Sequence, residues 1–164
     1  MYALLVDIDK CTGCMVCVME CSFYHEQAYS RSLSRIRIKR NEEKELSVPL
    51  MCEQCGVPAC VYACPVDALT YNGELHIPVV DDKKCNTCGL CISECPFEAI
   101  QMAPEKKKVL ICDLCDGDPI CVKVCLPKAI LYETIGNSVL IYKVKAMDKK
   151  LRLLEKEFKK KGGV

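Results

Sequence analysis

Apolar and polar positions alternate along this chain only over short spans. Arg35-Ile36-Arg37-Ile38-Lys39 runs at the period of two expected of a strand. Residues 68–79 offer two further short strands, 68–70 and 75–77, on either side of the hairpin signal Asn72-Gly73. In the segments CPVDAL and CPFEAI, Pro65 and Pro96 suit the first position of a helical turn, and LPKAI with Pro127 reads similarly. Towards the end, Val144, Met147, Leu151, Leu154 and Phe158 recur at helical spacing and predict an amphipathic helix within 144–161. The apolar run 138–144 before it reads as a strand, far short of the roughly 20 residues that cross a bilayer. The pattern predicts an α+β chain of short hairpins and helical turns, closed by one longer helix.

Cysteine dominates what lies between these elements. The 164 residues include 16 Cys and no Trp. The cysteines fall into four groups, with none left over: Cys11, Cys14, Cys17, Cys21; Cys52, Cys55, Cys60, Cys64; Cys85, Cys88, Cys91, Cys95; and Cys112, Cys115, Cys121, Cys125. The first and third groups are C-x-x-C-x-x-C-x-x-x-C. The second and fourth widen the middle gap with Gly- and Pro-containing insertions, which read as loop bulges.

Three cysteines two residues apart can wrap one side of a cubic iron–sulfur cluster. A fourth, three residues on, points away to a neighbouring cluster. Zinc would use two C-x-x-C pairs and leave the third cysteine without a role. The two histidines, His25 and His76, sit outside any repeat and read as packing or surface residues. Gly13, Gly56 and Gly89 lie inside the loops, where positive φ would let backbone amides turn towards sulfur. Sixteen cysteines so spaced predict four [4Fe–4S] clusters.

The formal net charge is +1, counting every thiol as neutral. Ligation removes those protons, and each loaded site would carry a charge of about −2, so the loaded protein is expected to be acidic and not a nucleic-acid binder. Residues 1–10 hold no charged, apolar leader, which gives the expectation of a cytoplasmic protein without membrane insertion. The sequence carries neither a G-x-G-x-x-G dinucleotide motif nor a C-x-x-x-C-x-x-C motif that would leave an iron open, so no catalytic residue is assigned.

Four groups with widened second and fourth gaps resemble the four-cluster iron–sulfur subunits of the dimethyl sulfoxide reductase type, over about residues 1–132. Those subunits carry electrons for molybdenum and tungsten oxidoreductases, formate dehydrogenases, hydrogenases and carbon monoxide dehydrogenase. KCTGC, CSFYHE, SRSLSRIRI and CDLCDGDPICVKVC are most similar to the small polyferredoxin-like subunits that accompany tungsten-dependent aldehyde oxidoreductases. The resemblance implies tandem bacterial-ferredoxin-like modules with interleaved cysteines.

By position, the resemblance assigns one cluster to Cys11, Cys14, Cys17 and Cys125, and its neighbour to Cys112, Cys115, Cys121 and Cys21. A third would take Cys52, Cys55, Cys60 and Cys95, and the last Cys85, Cys88, Cys91 and Cys64. An outer lobe would comprise 1–45 with 105–135, an inner lobe 46–104, and a C-terminal strand and helix 136–164. The implied role is non-catalytic. It carries electrons between a catalytic subunit, a tungstopterin aldehyde oxidoreductase foremost, and another carrier or flavin subunit, with an arrangement open to end-to-end stacking.

Residues 30–40 are basic, suited either to an acidic partner or to guarding a sheet edge. Residues 105–108 read as a solvated charge run, and the terminal Gly-Gly-Val as a fraying end.

Overall fold

The computed structural model describes residues 2–103 and 108–157. Phe158, most of the 105–108 charge run and the terminal Gly-Gly-Val lie outside the described residues.

Among the described residues the fold is mixed α and β, built from four two-stranded antiparallel ladders, short helices and one long C-terminal helix. Strand β1 (Tyr2–Val6) pairs with a strand far along the chain, Ile130–Thr134, in the register Tyr2↔Thr134 to Val6↔Ile130. Helix α1 (Val16–Glu26) carries Cys17 and Cys21. Strands β2 (Arg37–Asn41) and β3 (Leu46–Leu50) form the next hairpin. Its start falls two residues later than the alternation predicts. Ser34 Oγ accepts the Ile36 amide at 3.1 Å, and the resulting turn delivers Ile36 into the core before the ladder begins.

Helix α2 (Ala59–Tyr62) carries Cys60 and leads to β4 (Leu69–Asn72) and β5 (Ile77–Val80). The Asn72-Gly73 signal does mark a hairpin, but not through a tight glycine turn. Asn72 Oδ1 accepts the amides of Glu74 and Leu75 at 2.9 and 3.0 Å, and His76, at φ +55°, supplies the left-handed residue. Helix α3 (Leu90–Ser93) carries Cys91, β6 (Gln101–Ala103) pairs with β7 (Lys108–Leu110), and α4 (Ile120–Lys123) carries Cys121. The strand Ile130–Thr134 is β8, and α5 (Asn137–Glu157) ends the described chain.

The short helices precede the fourth cysteines, whereas the prolines predicted helical turns after them. The segments after Cys64, Cys95 and Cys125 are tight turns instead. Asp67, Glu98 and Lys128 take φ of +49°, +49° and +54°, which no helix accommodates. The next amide in each, from Ala68, Ala99 or Ala129, donates back to the cysteine Sγ at 3.2, 3.4 and 3.2 Å. The prolines stiffen a turn around sulfur.

Apolar side chains collect into a larger core around Leu4, Val18, Ile36, Val48, Leu50 and Ile130, and a smaller one around Leu69, Ile100, Val109 and Ile111. Cysteines belong to both: Cys17, Cys21, Cys52, Cys112, Cys121 and Cys125 to the first, Cys60 and Cys91 to the second. Contacts of α1 with α4, and of α2 with α3, tie the first cysteine group to the fourth and the second to the third.

The expected strand at 138–144 is helix, continuous with the rest of α5, and its ladder begins where the Leu140 amide donates to Gly136 O at 2.9 Å. The face turned inward also differs from the apolar row. Val144 is 58% exposed, while Lys143, Lys150 and Leu154 are buried. Polar chemistry sets that rotation, because the Lys150 ammonium is ion-paired with the Glu53 carboxylate, the two side chains 1% and 5% exposed. Among the described residues no helix is long and apolar enough to cross a membrane.

Removing one partner of such a pair leaves a buried charge, at about 3–5 kcal/mol. Lys150→Met is therefore expected to lower the melting temperature and release α5 to hydrogen exchange, with Glu53→Gln added in the double variant restoring most of the loss. An unchanged melting temperature in the single variant contradicts this docking.

Candidate metal centres

Each cysteine group begins with the same backbone device. The residue before the second cysteine is left-handed in all four: Gly13 at φ +66°, Gln54 at +52°, Thr87 at +56° and Leu114 at +58°. In three of these loops its amide is hydrogen-bonded back to the first cysteine, Gly13 to Cys11, Gln54 to Cys52 and Leu114 to Cys112. An L-residue held there costs about 1–2 kcal/mol, yet only the first loop uses glycine. Gly56 does not take the role expected of it, since it follows the second cysteine and lacks positive φ; Gln54 performs that task.

The third and fourth cysteines of every group stand four residues apart: both lie on α1 in the first group, while Cys64, Cys95 and Cys125 fall two residues past the ends of α2, α3 and α4. Their sulfurs consequently meet different neighbours. Cys11 and Cys17 both lie in the field of Cys125 as well as Cys14. Cys112, Cys115 and Cys121 all lie in the field of Cys21. Cys55 and Cys60 face Cys95, while Cys91 faces Cys85, Cys88 and Cys64. Cysteines of the first group thus lie in the field of cysteines of the fourth, and those of the second in the field of the third. Cys121 also lies in the field of Cys17, and Cys112 in that of Cys52.

The donor sets fit an iron–sulfur cube better than a single ion. Cys11, Cys14, Cys17 and Cys125 line one shared cavity, walled by Ile38, Pro49 and Ile130. Tetrahedral zinc at its usual bond length would bring sulfurs to about 3.8 Å of one another. Among the described residues the one trio of metal-ligating atoms within 4.8 Å is His25, Asp113 and Cys115, and no cysteine quartet is that tight.

Burial pushes the thiols of Cys17 and Cys52 up to about 12, and those of Cys60 and Cys115 up to about 11, with neighbouring sulfurs adding to the shift in each. Empty sites therefore hold protons that metal must displace. Cys64 moves the other way: its slight burial is outweighed by the amides of Val66, Leu69 and Ala68.

Several participants were not visible as such in the sequence. His25 is no bystander: its Nε2 lies 3.7 Å from Cys115 Sγ and 3.4 Å from Asp113 Oδ1. Burial holds its imidazole below the ordinary range, against the pull of Asp113. Cys21 accepts from the Arg35 amide and the Ser34 hydroxyl. The basic segment that suggested docking or edge protection is engaged within the chain. Arg40 donates to Gly13 O, Arg37 to Glu98 O, and Lys39 pairs with Glu98 at 2.6 Å. Gln54 joins three elements through its side chain, accepting from the Leu4 amide at 2.7 Å and Lys143 Nζ at 3.0 Å and donating to Leu75 O at 3.2 Å.

Comparison with known proteins agrees with this chemistry. Residues 51–99 match the 4Fe-4S dicluster domain, and residues 4–71 the 4Fe-4S single cluster domain. The aliphatic sulfonate oxidoreductase polyferredoxin-like subunit of Pyrococcus furiosus is 37% identical over 154 residues, covering 93% of this chain and 88% of the relative. An uncharacterized ferredoxin of Methanocaldococcus jannaschii is 32% identical, covering 95% of each. A longer relative, a tetrathionate reductase subunit of Salmonella typhimurium, is 31% identical over 76% of this chain, which spans 54% of its length. The chain belongs to the family of ferredoxin-like iron–sulfur electron-transfer subunits of oxidoreductase complexes, non-catalytic carriers with 4Fe–4S domains.

The loop geometry separates two glycines. A Cβ at Gly13 would meet Ser47 Oγ in a backbone already at φ +66°, whereas Gly56 faces open space. Gly13→Ala is expected to lower iron per chain and speed bleaching of the visible absorbance in air, with Gly56→Ala matching the parent. Equal iron content in both variants contradicts the loop account.

Proposed function

We propose that this chain relays single electrons through four [4Fe–4S] clusters between a catalytic redox subunit and a second carrier. The observation that carries the proposal is that the first cysteine group lies beside the fourth and the second beside the third, through α1 on α4 and α2 on α3, which supports an exchange of fourth cysteines that leaves no site isolated. Cys11, Cys14, Cys17 and Cys125 would hold one cluster, and Cys112, Cys115, Cys121 and Cys21 the next. Cys52, Cys55, Cys60 and Cys95 would hold the third, and Cys85, Cys88, Cys91 and Cys64 the fourth. When bound, these groups supply reversible one-electron chemistry. The protein's own work is to bind them, fix their order and exclude water from the inner pair.

Electrostatic proximity supports the order. Cys121 lies in the field of Cys17, which would join the first set to the second, and Cys112 in the field of Cys52, which would join the second to the third. The exposed cysteines, Cys14 and Cys88, belong to the first and last sets, so the proposed relay meets solvent at its two ends. Pairing of β1 with β8 and packing of α2 on α3 support tandem ferredoxin-like modules, an outer one from 1–45 with 105–135 and an inner one from 46–104.

For the partner, we propose a tungsten-dependent subunit of the aldehyde oxidoreductase type, acting in the cytoplasm. The motifs KCTGC, CSFYHE and SRSLSRIRI support this, as does a relative of similar length named as an oxidoreductase's polyferredoxin-like subunit.

Anaerobically prepared protein should contain about sixteen iron and about sixteen sulfide per chain, with reduced samples giving EPR signals broadened by neighbouring spins. Stoichiometric zinc without sulfide contradicts the proposal. Affinity purification from the native host should bring down a subunit containing tungsten; a partner lacking tungsten would overturn the partner assignment while leaving the relay standing.

A further inference from the structure

Helix α5 is built the wrong way round for a simple packing helix. Leu140, Ile141 and Val144 are 49%, 57% and 58% exposed, while Lys143 and Lys150, seven residues apart on one face, are 7% and 1% exposed. Ordinary amphipathic packing would reverse this. Burying an ammonium is costly unless a charge of opposite sign compensates it.

Lys150 has such a partner in Glu53. Lys143 does not: its Nζ donates to Gln54 Oε1 at 3.0 Å, a neutral acceptor already bonded to the Leu4 amide. The fields acting on Lys143 come from Glu53, which Lys150 engages, and then from Cys52 and Cys55. Conversely, Lys143 is the cation that acts on Cys55. The residues on either side of its acceptor, Glu53 and Cys55, and Cys52 beyond, belong to one C-x-x-C loop. A neutral loop of thiols gives this ammonium little reason to be inside. A net negative cluster on the same thiolates supplies the missing charge.

We propose that Lys143 is a built-in counter-charge for the cluster held by Cys52, Cys55, Cys60 and Cys95, raising its reduction potential. The proposal rests on the ligand assignment above. One-electron reduction adds a negative charge to that cluster, and a fixed buried cation beside it favours the reduced form. The C-terminal helix thereby does more than cap the fold. It biases one internal site, beside Cys112 within the larger core, towards holding the electron. Gln54 holds the lysine in place and, through its backbone amide, also hydrogen-bonds Cys52.

The test is an EPR-monitored potentiometric titration of the loaded protein and three variants. Lys143→Met removes charge at similar length, Lys143→Gln removes charge but retains a donor for Gln54, and Lys143→Arg retains charge. Iron and sulfide are counted in every sample. The expected result is that one midpoint falls in both neutral variants and stays near the parent value in Lys143→Arg, while the remaining midpoints do not move. Lys145→Met, an exposed change on the same helix, should leave all midpoints in place. If Lys143→Met loads poorly, Lys143→Gln carries the comparison. Full iron content with unmoved midpoints in Lys143→Gln overturns the role of Lys143 while leaving the four-cluster reading intact. Parent protein with low iron and sulfide overturns that reading itself.

Discussion

Four residues separate the third and fourth cysteines of each group, and most of the architecture follows from it. Cys17 and Cys21 both lie on α1, whereas Cys64, Cys95 and Cys125 each follow the short helix that carries Cys60, Cys91 or Cys121. In the proposed relay a site begun by one group is closed by another. Helix α1 packs against α4, and the β1–β8 ladder joins the chain near both of those groups. Helix α2 packs on α3. Isolated two-stranded hairpins are marginal in water, so four separate ladders of three to five residues per strand point to stability drawn from the sulfur sites as well as the cores.

Charge management is the second layer. Buried thiols resist ionisation, and the fold answers with amides and cations aimed at them. The left-handed residue of the loop returns its amide to the first cysteine in three groups, and an alanine amide closes on the fourth cysteine in three. The first group, whose fourth cysteine lies within a longer helix, uses Ser34 and the Arg35 amide for the same purpose. The basic strand and the C-terminal helix contribute their cations inward for a related reason: Arg40 to the first loop, Lys150 and Lys143 to the second.

The cysteine spacing made the 4Fe–4S character legible because ligand number and separation are local properties of the sequence. The hairpin within 68–79 and the existence of a long final helix were legible too, from the turn signal and the helical period. Other features depend on partners remote in the chain. Nothing near Lys143 announces that it will face inward, because its environment is made by Glu53 and Gln54 some ninety positions earlier. His25 likewise meets Cys115 only through the packing of α1 on the fourth group. The prolines after the fourth cysteines misled for a different reason. Proline favours a first helical position and a turn about equally, and the demand of sulfur for an amide selects the turn. Asn72-Gly73 misled similarly, since the asparagine side chain closed the turn without a left-handed glycine.

The central claim is that the fourth cysteines are exchanged, so that neighbouring clusters are physically joined. An anomalous-difference map at the iron edge from anaerobically grown crystals tests it directly. The account predicts four cube-shaped peaks in a line, with Cys21 and Cys125 bound to different cubes from Cys17 and Cys121, and Cys64 and Cys95 from Cys60 and Cys91. Single-atom peaks, or cubes each closed by the four cysteines of one group, would contradict it.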